Sequence, residues 1–521
     1  MDERVLHLSE PRKKDLLHLL FSRFFLIVVL LVVQLLIVIS FYSWLGDLLP
    51  HFMTFLVVLI IIGVIYLFNS GMDSSAKLTW MLVIAIMPIT GAALLVFTQT
   101  NFGHRALSRR ARLLIASTSK AIEQKESVLQ ELSDDPSGTD DLDRYLNRSG
   151  CFPVYDRTKA TYFPIGEDMF SSMLEELKKA EESIFMEFFI IDEGCMWGSI
   201  LKILTEKAAA GLDVRVMYDG MLEVSTLPPD YWKLLAEQGI KAKAFSPIVP
   251  IISSHYNYRD HRKILVIDGQ VAFTGGVNLA DEYINRKNRF GHWKDTGLMV
   301  KGEAARSFTL MFLQMWNIDE KVPVFEPWIS KIPAVPESSD GYVIPYGDCP
   351  LDGERVGEMV YMDILNRANT YVHVMTPYLI LDGEMETALK FAAQRGVDVK
   401  LILPGIPDKK LAYALAKSHY KRLLKAGVKI YEYIPGFVHA KVFTSDDCKA
   451  VVGTINLDYR SLYHHFECAS YLYKTSCILD IERDFQETLS KCMMVTPETI
   501  RKEKLYYKIM GSLMKFIAPM M

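Results

Sequence analysis

Two copies of one short motif carry the residues in this sequence that could do chemistry. Each copy reads His-x-Lys-x-x-x-x-Asp, and its residues are His261, Lys263 and Asp268 in the first copy and His439, Lys441 and Asp446 in the second. A neutral imidazole can attack as a nucleophile, a protonated one can give its proton to a leaving group, and a lysine can offset developing negative charge. The two motifs therefore predict one active site built around two histidines.

The residues that follow each motif match as well. A glycine lies fourteen residues after each histidine and an asparagine seventeen residues after it, at Gly275 and Asn278 and again at Gly453 and Asn456. One such motif is expected by chance in about one chain in twenty of this length. Two copies with the same downstream spacing therefore indicate a duplicated unit.

A β-hairpin would position the histidine and the lysine. Two residues that are two apart on a strand point to the same face and can reach the same ligand. Asp268-Gly269 between two apolar runs is a strong signal for a two-residue turn. The register of that turn puts Gly276 opposite His261, where the missing side chain leaves room for a bulky group.

The second copy predicts the same arrangement. Its register puts a small residue, Thr454, opposite His439. The asparagines Asn278 and Asn456 lie one step further along, where they can donate a hydrogen bond to the same ligand. The motif aspartates, although they belong to the catalytic motif, lie on the turns and are better suited to holding the hairpin or a neighbour than to direct chemistry.

The elements around the two motifs also repeat. SIFMEFFIIDEG at 183–194 matches YVHVMTPYLILDG at 371–383, and both are apolar runs typical of buried strands. KAAAGLDVRVMYDG at 207–220 matches AAQRGVDVKLILPG at 392–405, where a helix ends at a glycine and a strand follows. Each half is therefore predicted to be an α/β domain.

The sequence outside the motifs divides into parts of different character. We expect a membrane anchor at 1–112, a polar linker at 113–148, α/β domains at 149–330 and 331–500, and a C-terminal amphipathic helix at 501–521. The formal charge of −4 argues against a nucleic-acid partner. Seven cysteines without metal-ligand spacing indicate no disulfide framework. No carboxylate cluster suggests a metal, and no cofactor is expected.

Three apolar segments near the N-terminus are close to the length that crosses a bilayer. They lie at 24–45, 52–69 and 79–98 and carry no charged residue, so we expect a multi-pass protein of the cell membrane. Basic residues flank both ends of this block, which places both flanks in the cytoplasm, whereas three full spans place them on opposite sides. Either one segment is re-entrant or one flank departs from the rule.

The doubled motif resembles the phospholipase D superfamily, and the sequence around it is similar to the bacterial cardiolipin synthases. The similar stretches are RALSRRAR after an apolar pair, EFFIID, HRKILVIDGQVAFTGGVNLADEY, HWKDTGLMVKGEA, TPYLILDGE, LAYALAKSHYKRLLKAGV, GFVHAKVF through GTINLDYRS to Glu467, and the apolar tail LYYKIMGSLMKFIAPMM. The resemblance accounts for the spans at 52–69 and 79–98 but not for 24–45, so that segment departs from the family.

The resemblance implies a membrane-bound phosphatidyltransferase in which two α/β domains, related by a pseudo-twofold axis, share one active site. His261 would attack phosphorus and form a phosphohistidine, and His439 would protonate the leaving alcohol, although a near-symmetric site could run either way. The residues expected around the phosphoryl group are Lys263, Lys441, Asn278 and Asn456, with Glu467 in a supporting place. The hydroxyl of a second phosphatidylglycerol would then attack, giving cardiolipin and free glycerol.

Other outcomes stay open at this point. Water or another alcohol could take the phosphatidyl group, because the motif does not distinguish acceptors. A remote alternative is an inactive, membrane-anchored scaffold that binds lipid. The oligomeric state, the acyl-chain preference and the side of the membrane are not determined by the sequence.

Two further features of the sequence are a pair of adjacent histidines and an amphipathic tail. His464 and His465 are adjacent, and neighbouring side chains on an extended segment face opposite ways, which favours local packing over a shared ligand. In the tail, apolar residues including Tyr506, Ile509 and Leu513 recur at three- and four-residue steps. Such a helix either packs its stripe on the second domain or lies in the membrane interface.

Overall fold

The computed structural model describes residues 5–8, 32, 35, 36, 39, 40, 49–100, 104–247 and 258–520. The predicted membrane segment 24–45 therefore lies outside the described residues, except at 32, 35, 36, 39 and 40, which are helical.

The first α/β domain is built on a seven-stranded mixed sheet. The strands of this half are β1 Thr158–Phe163, β2 Ser183–Phe188, β3 Asp213–Asp219, β4 Lys241–Phe245, β5 Arg259–Asp260, β6 Lys263–Ile267, β7 Val271–Gly275, β8 His292–Lys294 and β9 Gly297–Gly302. The sheet order is β1-β9-β7-β6-β2-β3-β4. Its helices are Gly166–Lys179, Cys195–Ala209, Leu222–Ser225, Tyr231–Glu237 and Ala305–Trp316, with a 3-10 turn at Asp281–Ile284.

The second α/β domain repeats this architecture. Its strands are β10 Tyr342–Asp348, β11 Tyr371–Met375, β12 Asp398–Pro404, β13 Lys429–Tyr433, β14 Gly436–Val438, β15 Val442–Ser445, β16 Lys449–Gly453, β17 His465–Tyr473 and β18 Cys492–Met494. The sheet order is β10-β17-β16-β15-β11-β12-β13-β18. Its helices are Val356–Arg367, Gly383–Gln394, Lys410–Lys425, Tyr459–Tyr463, Cys477–Leu489, Pro497–Lys502 and Leu505–Ile517, followed by a 3-10 turn at Ala518–Met520.

The centres of the two sheets correspond strand by strand. The apolar strand β2 pairs in parallel with β3 and antiparallel with β6, which begins the first motif hairpin. Its counterpart β11 pairs in parallel with β12 and antiparallel with β15. All six residues of β2 are buried, as the continuous apolar run predicts. The prediction of two repeated α/β domains is confirmed.

Two short strand pairs join the domains. β5 of the first half pairs in parallel with the start of β17 in the second half. β14 of the second half pairs in parallel with β8 of the first. Because β5 and β14 each come directly before a motif histidine, the exchange places both histidines at the boundary between the halves.

The predicted hairpin register is wrong by one residue. Ile267 pairs with Val271 rather than with Gln270, so the loop has three residues. The Gln270 N–H closes the turn on the Ile267 carbonyl at 2.9 Å, but the Gln270 carbonyl accepts from Gly302 of β9, also at 2.9 Å. Gln270 is therefore an extra residue outside the ladder, and Gly276 does not lie directly opposite His261.

The second hairpin has the same three-residue loop. Ser445 pairs with Lys449, so the ladder again resumes one residue later than predicted. Thr454 therefore does not lie directly opposite His439. Gly276 and Thr454 instead contact two carboxylates of the active site, Asp295 and Glu467.

The stretch predicted as a linker at 113–148 is largely helical. Helices Glu126–Ser133 and Thr139–Gly150 follow His104–Ser117. Their buried apolar side chains are Val128, Leu132, Leu142 and Leu146, which join a large apolar core that contains residues of both domains. These apolar residues recur at helical spacing within a polar sequence, so the stretch packs as part of the body of the protein.

Among the described residues, one helix is long and apolar enough to cross a membrane, and the best-fitting span within it is Pro50–Asn69. The helix as a whole, Leu49–Asn69, has 21 residues and reaches about 31 Å at 1.5 Å per residue. The predicted segment 79–98 is instead divided between two helices, Ser74–Ile86 and Pro88–Thr100, of 13 residues each.

The break between these two helices comes from a proline. Met87 precedes Pro88 and leaves the helical conformation, as residues before proline tend to do. The second helix then folds so closely onto the first that a Cβ on Gly91 would lie 2.9 Å from the Val83 carbonyl oxygen. Each helix is only about 20 Å long, so neither crosses the hydrocarbon core as a straight span.

The first described residues lie on the first domain. The Leu6 N–H donates to the Gly198 carbonyl at 3.0 Å, and His7 Nδ1 lies 3.3 Å from Glu193 Oε2. A side chain at Gly198 would collide with Val5. The chain before the membrane segments and the chain after them therefore meet on the same folded body.

The C-terminal helix Leu505–Ile517 packs on helix Lys410–Lys425 by one face. A Cβ on Gly511 would collide with the Ala414 carbonyl, and Met514 is buried. The predicted apolar stripe is exposed on the other face at Tyr506 (51%), Ile509 (51%) and Leu513 (59%).

Candidate active site

The two motif histidines lie together at the boundary between the domains. His261 is 6% exposed and His439 is 7% exposed. The His261 N–H donates to the Phe466 carbonyl at 2.9 Å, and the His439 N–H donates to the Lys294 carbonyl at 2.7 Å. Each histidine is therefore anchored by the backbone of the other half.

A carboxylate from the other half contacts each imidazole. His261 Nδ1 lies 2.9 Å from both oxygens of Glu467, and His439 Nδ1 lies 2.7 Å from Asp295 Oδ2. Both carboxylates are fully buried. A carboxylate on Nδ1 fixes the tautomer of a histidine and leaves Nε2 free to react. Glu467, which was expected near the site in a supporting place, makes the contact to His261.

Asp295 was missed in the sequence. Gly275 pairs with Gly297 and, in the other half, Gly453 pairs with Ala469, and each carboxylate lies two residues before that partner. The chain between the glycine and the carboxylate differs in length between the halves, so motif spacing does not reveal the equivalence. The available signal was a carboxylate near the start of the next long strand after each hairpin, just before β9 in HWKD and within β17 in HFE.

Both motif lysines point into the same space and are buried. Lys263 Nζ donates to the His261 carbonyl at 2.6 Å, and Lys441 Nζ donates to the His439 carbonyl and lies 2.9 Å from its Nδ1. Burial lowers the pKa of Lys263 to about 8. Burial and the charge of Lys263 lower the pKa of Lys441 to about 7.

The histidines and their carboxylates have perturbed pKa values. Burial, with the neighbouring lysines, lowers the pKa of His261 well below its usual range and that of His439 to about 4. Burial raises the pKa of Glu467 well above its usual range. For Asp295, burial acts to raise the pKa, but His439 and Lys441 outweigh it and hold the pKa below the usual value. The two halves therefore differ electrostatically although their geometry matches.

Gly276 and Thr454 serve the carboxylates rather than facing the histidines. A Cβ on Gly276 would collide with Asp295, so the glycine admits the carboxylate that contacts His439. The Thr454 hydroxyl donates to Glu467. These two equivalent positions therefore help to hold Asp295 and Glu467 in place.

The two asparagines differ in their bonding. Asn278 Oδ1 accepts from the Ile190 N–H at 3.0 Å, and its Nδ2 donates to the Tyr283 hydroxyl at 2.8 Å. Asn456 is also buried, but its Oδ1 has no hydrogen-bond partner in the part of the chain that the structure describes. Asn278 is thus held inside the first domain, whereas Asn456 retains an unused acceptor.

The motif aspartates lie on the hairpin loops, as their position on the turns predicts. The Asp268 carboxylate accepts three backbone N–H groups at 2.8 to 2.9 Å, from Glu181, Glu182 and Ser183. The Asp446 carboxylate accepts three more at 2.8 to 2.9 Å, from Asn369, Thr370 and Tyr371. Each aspartate therefore fixes the start of a central strand, β2 or β11, and takes no part in the contacts around the histidines.

One set of side chains has the composition of a metal site. Ligand atoms of His261, His465 and Glu467 lie within 4.8 Å of one another. Two imidazoles and a carboxylate are ligand types used by zinc. Lys263 adds positive charge beside both of these histidines, and this cationic environment suits an anion better than a divalent cation.

Comparison with known proteins matches both halves of the chain to one family. A family model described as "Cardiolipin synthase, PLD-like domain" matches residues 173–316 and 361–489, one stretch around each histidine motif. The chain belongs to the cardiolipin synthase family. The model covers both halves that the structure brings together.

Relatives in this family match most of the chain. A cardiolipin synthase of Geobacillus kaustophilus is 33% identical over 92% of this chain and 95% of its own length. Cardiolipin synthase 2 of Bacillus anthracis is 32% identical over 87% of this chain and 88% of its own. An uncharacterized protein of Streptococcus mutans is 57% identical over 88% of this chain and 99% of its own.

A solved structure shares the fold of the two domains. The crystal structure of phosphatidylserine synthase from Haemophilus influenzae superposes with a TM-score of 0.56 and 15% identity, covering 73% of this chain and 97% of that one. At this identity the likeness concerns the fold alone.

Proposed function

We propose that this protein is a membrane-bound cardiolipin synthase that joins two phosphatidylglycerol molecules and releases glycerol. The observation that carries the proposal is the pair of buried histidines, each hydrogen-bonded through Nδ1 to a carboxylate of the other half. Its membership of the cardiolipin synthase family supports the choice of substrate and product.

The proposed reaction has two displacements at one phosphorus. In the first, His261 Nε2 forms a bond to phosphorus, the bond from phosphorus to the glycerol oxygen breaks, and His439 gives its proton to that oxygen. In the second, His439 takes the proton of a hydroxyl on another phosphatidylglycerol, whose oxygen displaces His261. Cardiolipin and the free histidine result.

The surrounding groups have defined roles in this proposal. Glu467 holds His261 through Nδ1 while the ring carries phosphorus, and Asp295 offsets the positive charge of His439 when that ring is protonated. Lys263 and Lys441 offset charge on the phosphoryl oxygens. Asn456, with its unused acceptor, suits a hydroxyl of the headgroup.

The acceptor decides between this function and its alternatives. The test is to incubate detergent-purified protein with phosphatidylglycerol alone and separate the products. Cardiolipin and glycerol in equal amounts support the proposal. Phosphatidic acid as the main product would identify a phospholipase D-type hydrolase, and no turnover would leave only the lipid-binding scaffold.

Two variants make the same test specific for the site. His261→Ala and His439→Ala should each abolish turnover while the melting temperature stays within a few degrees of that of the parent protein. Activity should survive EDTA, since every proposed step uses side chains. Activity lost in EDTA and restored by an added metal ion would contradict this mechanism.

We also propose that the chain crosses the membrane an even number of times before the catalytic domains. Residues 5–8 and the chain from His104 onwards contact the same folded body, so both flanks lie on one side. Helix Leu49–Asn69 supplies one crossing, and the folded pair 74–86 and 88–100 returns to the side from which it starts. An even number then requires one more crossing, and the uncharged apolar sequence 24–45 has the length for it.

This topology reconciles the basic residues on both flanks with the positive-inside rule, and it places the catalytic domains in the cytoplasm. Epitope tags at the two termini provide the test in intact cells. Both tags should be protected from external protease. Protection of only one tag would contradict an even number of crossings.

A further inference from the structure

A third histidine lies inside the active site. His465 is the first residue of β17 and is 7% exposed. Its ring centroid lies 5.3 Å from that of His261 and 6.4 Å from that of Phe189. The neighbouring His464 ring faces away toward Tyr258, at 6.3 Å. The expectation that adjacent side chains face opposite ways holds, but the side that His465 occupies is the catalytic one.

Neither ring nitrogen of His465 has a hydrogen-bond partner among the described residues. Its Nδ1 lies 3.7 Å from Glu467 Oε1, which is beyond hydrogen-bond distance. Leaving a buried polar group without a partner costs roughly 1–3 kcal/mol. A histidine in this state beside the reacting imidazole is a group that a bound ligand can satisfy.

The other half has no equivalent imidazole. Trp293 lies two residues before Asp295, as His465 lies two before Glu467, and its ring centroid is 5.5 Å from that of His439. An indole nitrogen only donates, whereas a neutral imidazole both donates and accepts. His465 therefore distinguishes the His261 side of the site from the His439 side.

The charge around His465 indicates what kind of ligand it meets. Lys263, Arg259 and Arg460 all act on this histidine electrostatically. A neutral N–H donor in cationic surroundings suits an anionic oxygen, as in a phosphate mono- or diester.

We propose that His465 binds the phosphoryl group carried by His261, by donating a ring N–H to one of its oxygens. This inference rests on the proposed phosphohistidine chemistry but not on the identity of the acceptor alcohol. It makes His465 a catalytic residue of the first displacement, in addition to the paired histidines and lysines.

The test compares three variants of the full-length protein in detergent. His465→Phe keeps a flat ring and removes both nitrogens, His465→Gln keeps an N–H donor, and His464→Phe makes the same change at the adjacent position outside the site. The first measurement is the dissociation constant of inorganic phosphate by calorimetry. The second is the rate of glycerol release in a single turnover with phosphatidylglycerol vesicles.

We expect His465→Phe to weaken phosphate binding by about 10- to 100-fold, the effect of one hydrogen bond to a charged group, and to slow glycerol release. His465→Gln should recover most of the phosphate affinity, and His464→Phe should match the parent protein in both measurements. Melting temperatures report whether each variant is folded.

Two outcomes would overturn the proposal. His465→Phe with parental phosphate affinity would do so even if glycerol release fell, because the effect would then lie in the lipid and not in the phosphoryl group. Equal losses in His465→Phe and His464→Phe would show a general disturbance of β17. A finding that water is the natural acceptor would overturn the cardiolipin assignment and leave the His465 result intact.

Discussion

Asp295 and Glu467 occupy equivalent positions in the two halves, and each hydrogen-bonds the motif histidine of the opposite half, at 2.7 Å and 2.9 Å. The surroundings of each imidazole are therefore supplied by both domains. It also explains why two small residues, Gly276 and Thr454, lie where they do, since one admits a carboxylate and the other donates to one.

We predict that Asp295→Asn lowers kcat by about 10²- to 10⁴-fold, with little change in KM. The amide can donate to Nδ1, which stabilises the tautomer of His439 that already carries its proton on Nε2. In this tautomer Nε2 cannot accept a proton. The measurement is cardiolipin formation at saturating phosphatidylglycerol. Glu467→Gln is the matched variant for His261, and less than tenfold loss in both variants would contradict the role given to the carboxylates.

The motif aspartates should affect stability rather than chemistry. Asp268→Ala removes the acceptor for three backbone N–H groups at the start of β2. We expect the free energy of unfolding to fall by about 1–3 kcal/mol, and kcat measured below the melting temperature to stay within about twofold. Asp446→Ala should behave alike. A large kcat loss in a fully folded variant would return these residues to the catalytic set.

The pH dependence of kcat/KM should follow the loss of the Lys441 proton. Its pKa of about 7 means that the free enzyme loses this positive charge as the pH rises through 7. Because the protonated lysine offsets phosphoryl charge, kcat/KM should fall between about pH 7 and 9. Lys441→Arg keeps its charge over this range and should move the start of the fall from about pH 7 to the pKa of Lys263, about 8, even at a lower maximal rate. An unchanged profile in Lys441→Arg would assign the fall to another group.

The lowered pKa of Lys441 should also make the stability of the protein depend on pH. Lys441 has a pKa of about 7 when folded against 10.5 ordinarily, so the unfolded chain binds the additional proton between these values. Its contribution to the free energy of unfolding therefore rises with pH across that window. Activity and stability should consequently change in opposite directions between pH 7 and 9.

The exposed stripe of the C-terminal helix should matter only where there is a membrane. Replacing Ile509 and Leu513 by serine removes two side chains that are more than half exposed. We expect the melting temperature in detergent to be unchanged and turnover in anionic vesicles to fall several-fold, because the helix loses its apolar contact with the interface.

The opposite face of the same helix provides the control. Met514→Ala removes a buried side chain and should lower the free energy of unfolding by roughly 2 kcal/mol or more. Unimpaired vesicle turnover in the double serine variant would show that the stripe does not contact lipid.

The sequence predicted the two domains and the paired motif because both repeat. Apolar runs, helix-ending glycines and motif spacing are local signals, and they recur in each half. The predicted hairpin register was wrong at Gln270. Its carbonyl accepts a hydrogen bond from the N–H of Gly302, which lies on a strand outside the hairpin sequence. The place of Asp295 in the site was not predicted for the same reason, since its contact with His439 depends on how the two halves meet.

The membrane block shows a different limit. Composition predicted a span at 79–98 because its residues are apolar, but Pro88 divides it and the two pieces fold together. Hydropathy counts residues and does not register where a helix ends. The proline in the middle of the segment was the available sign.

The exchange of strands and carboxylates has a consequence for the origin of this chain. A single half carries a histidine without its carboxylate, so an ancestor of one domain would have completed its sites only as a dimer. Joining the two copies in one chain makes an intramolecular contact of what would otherwise be a concentration-dependent association. In one chain each copy serves only one side of the site, so the two need not be identical, and they differ at the centre in Asp295 against Glu467 and Trp293 against His465.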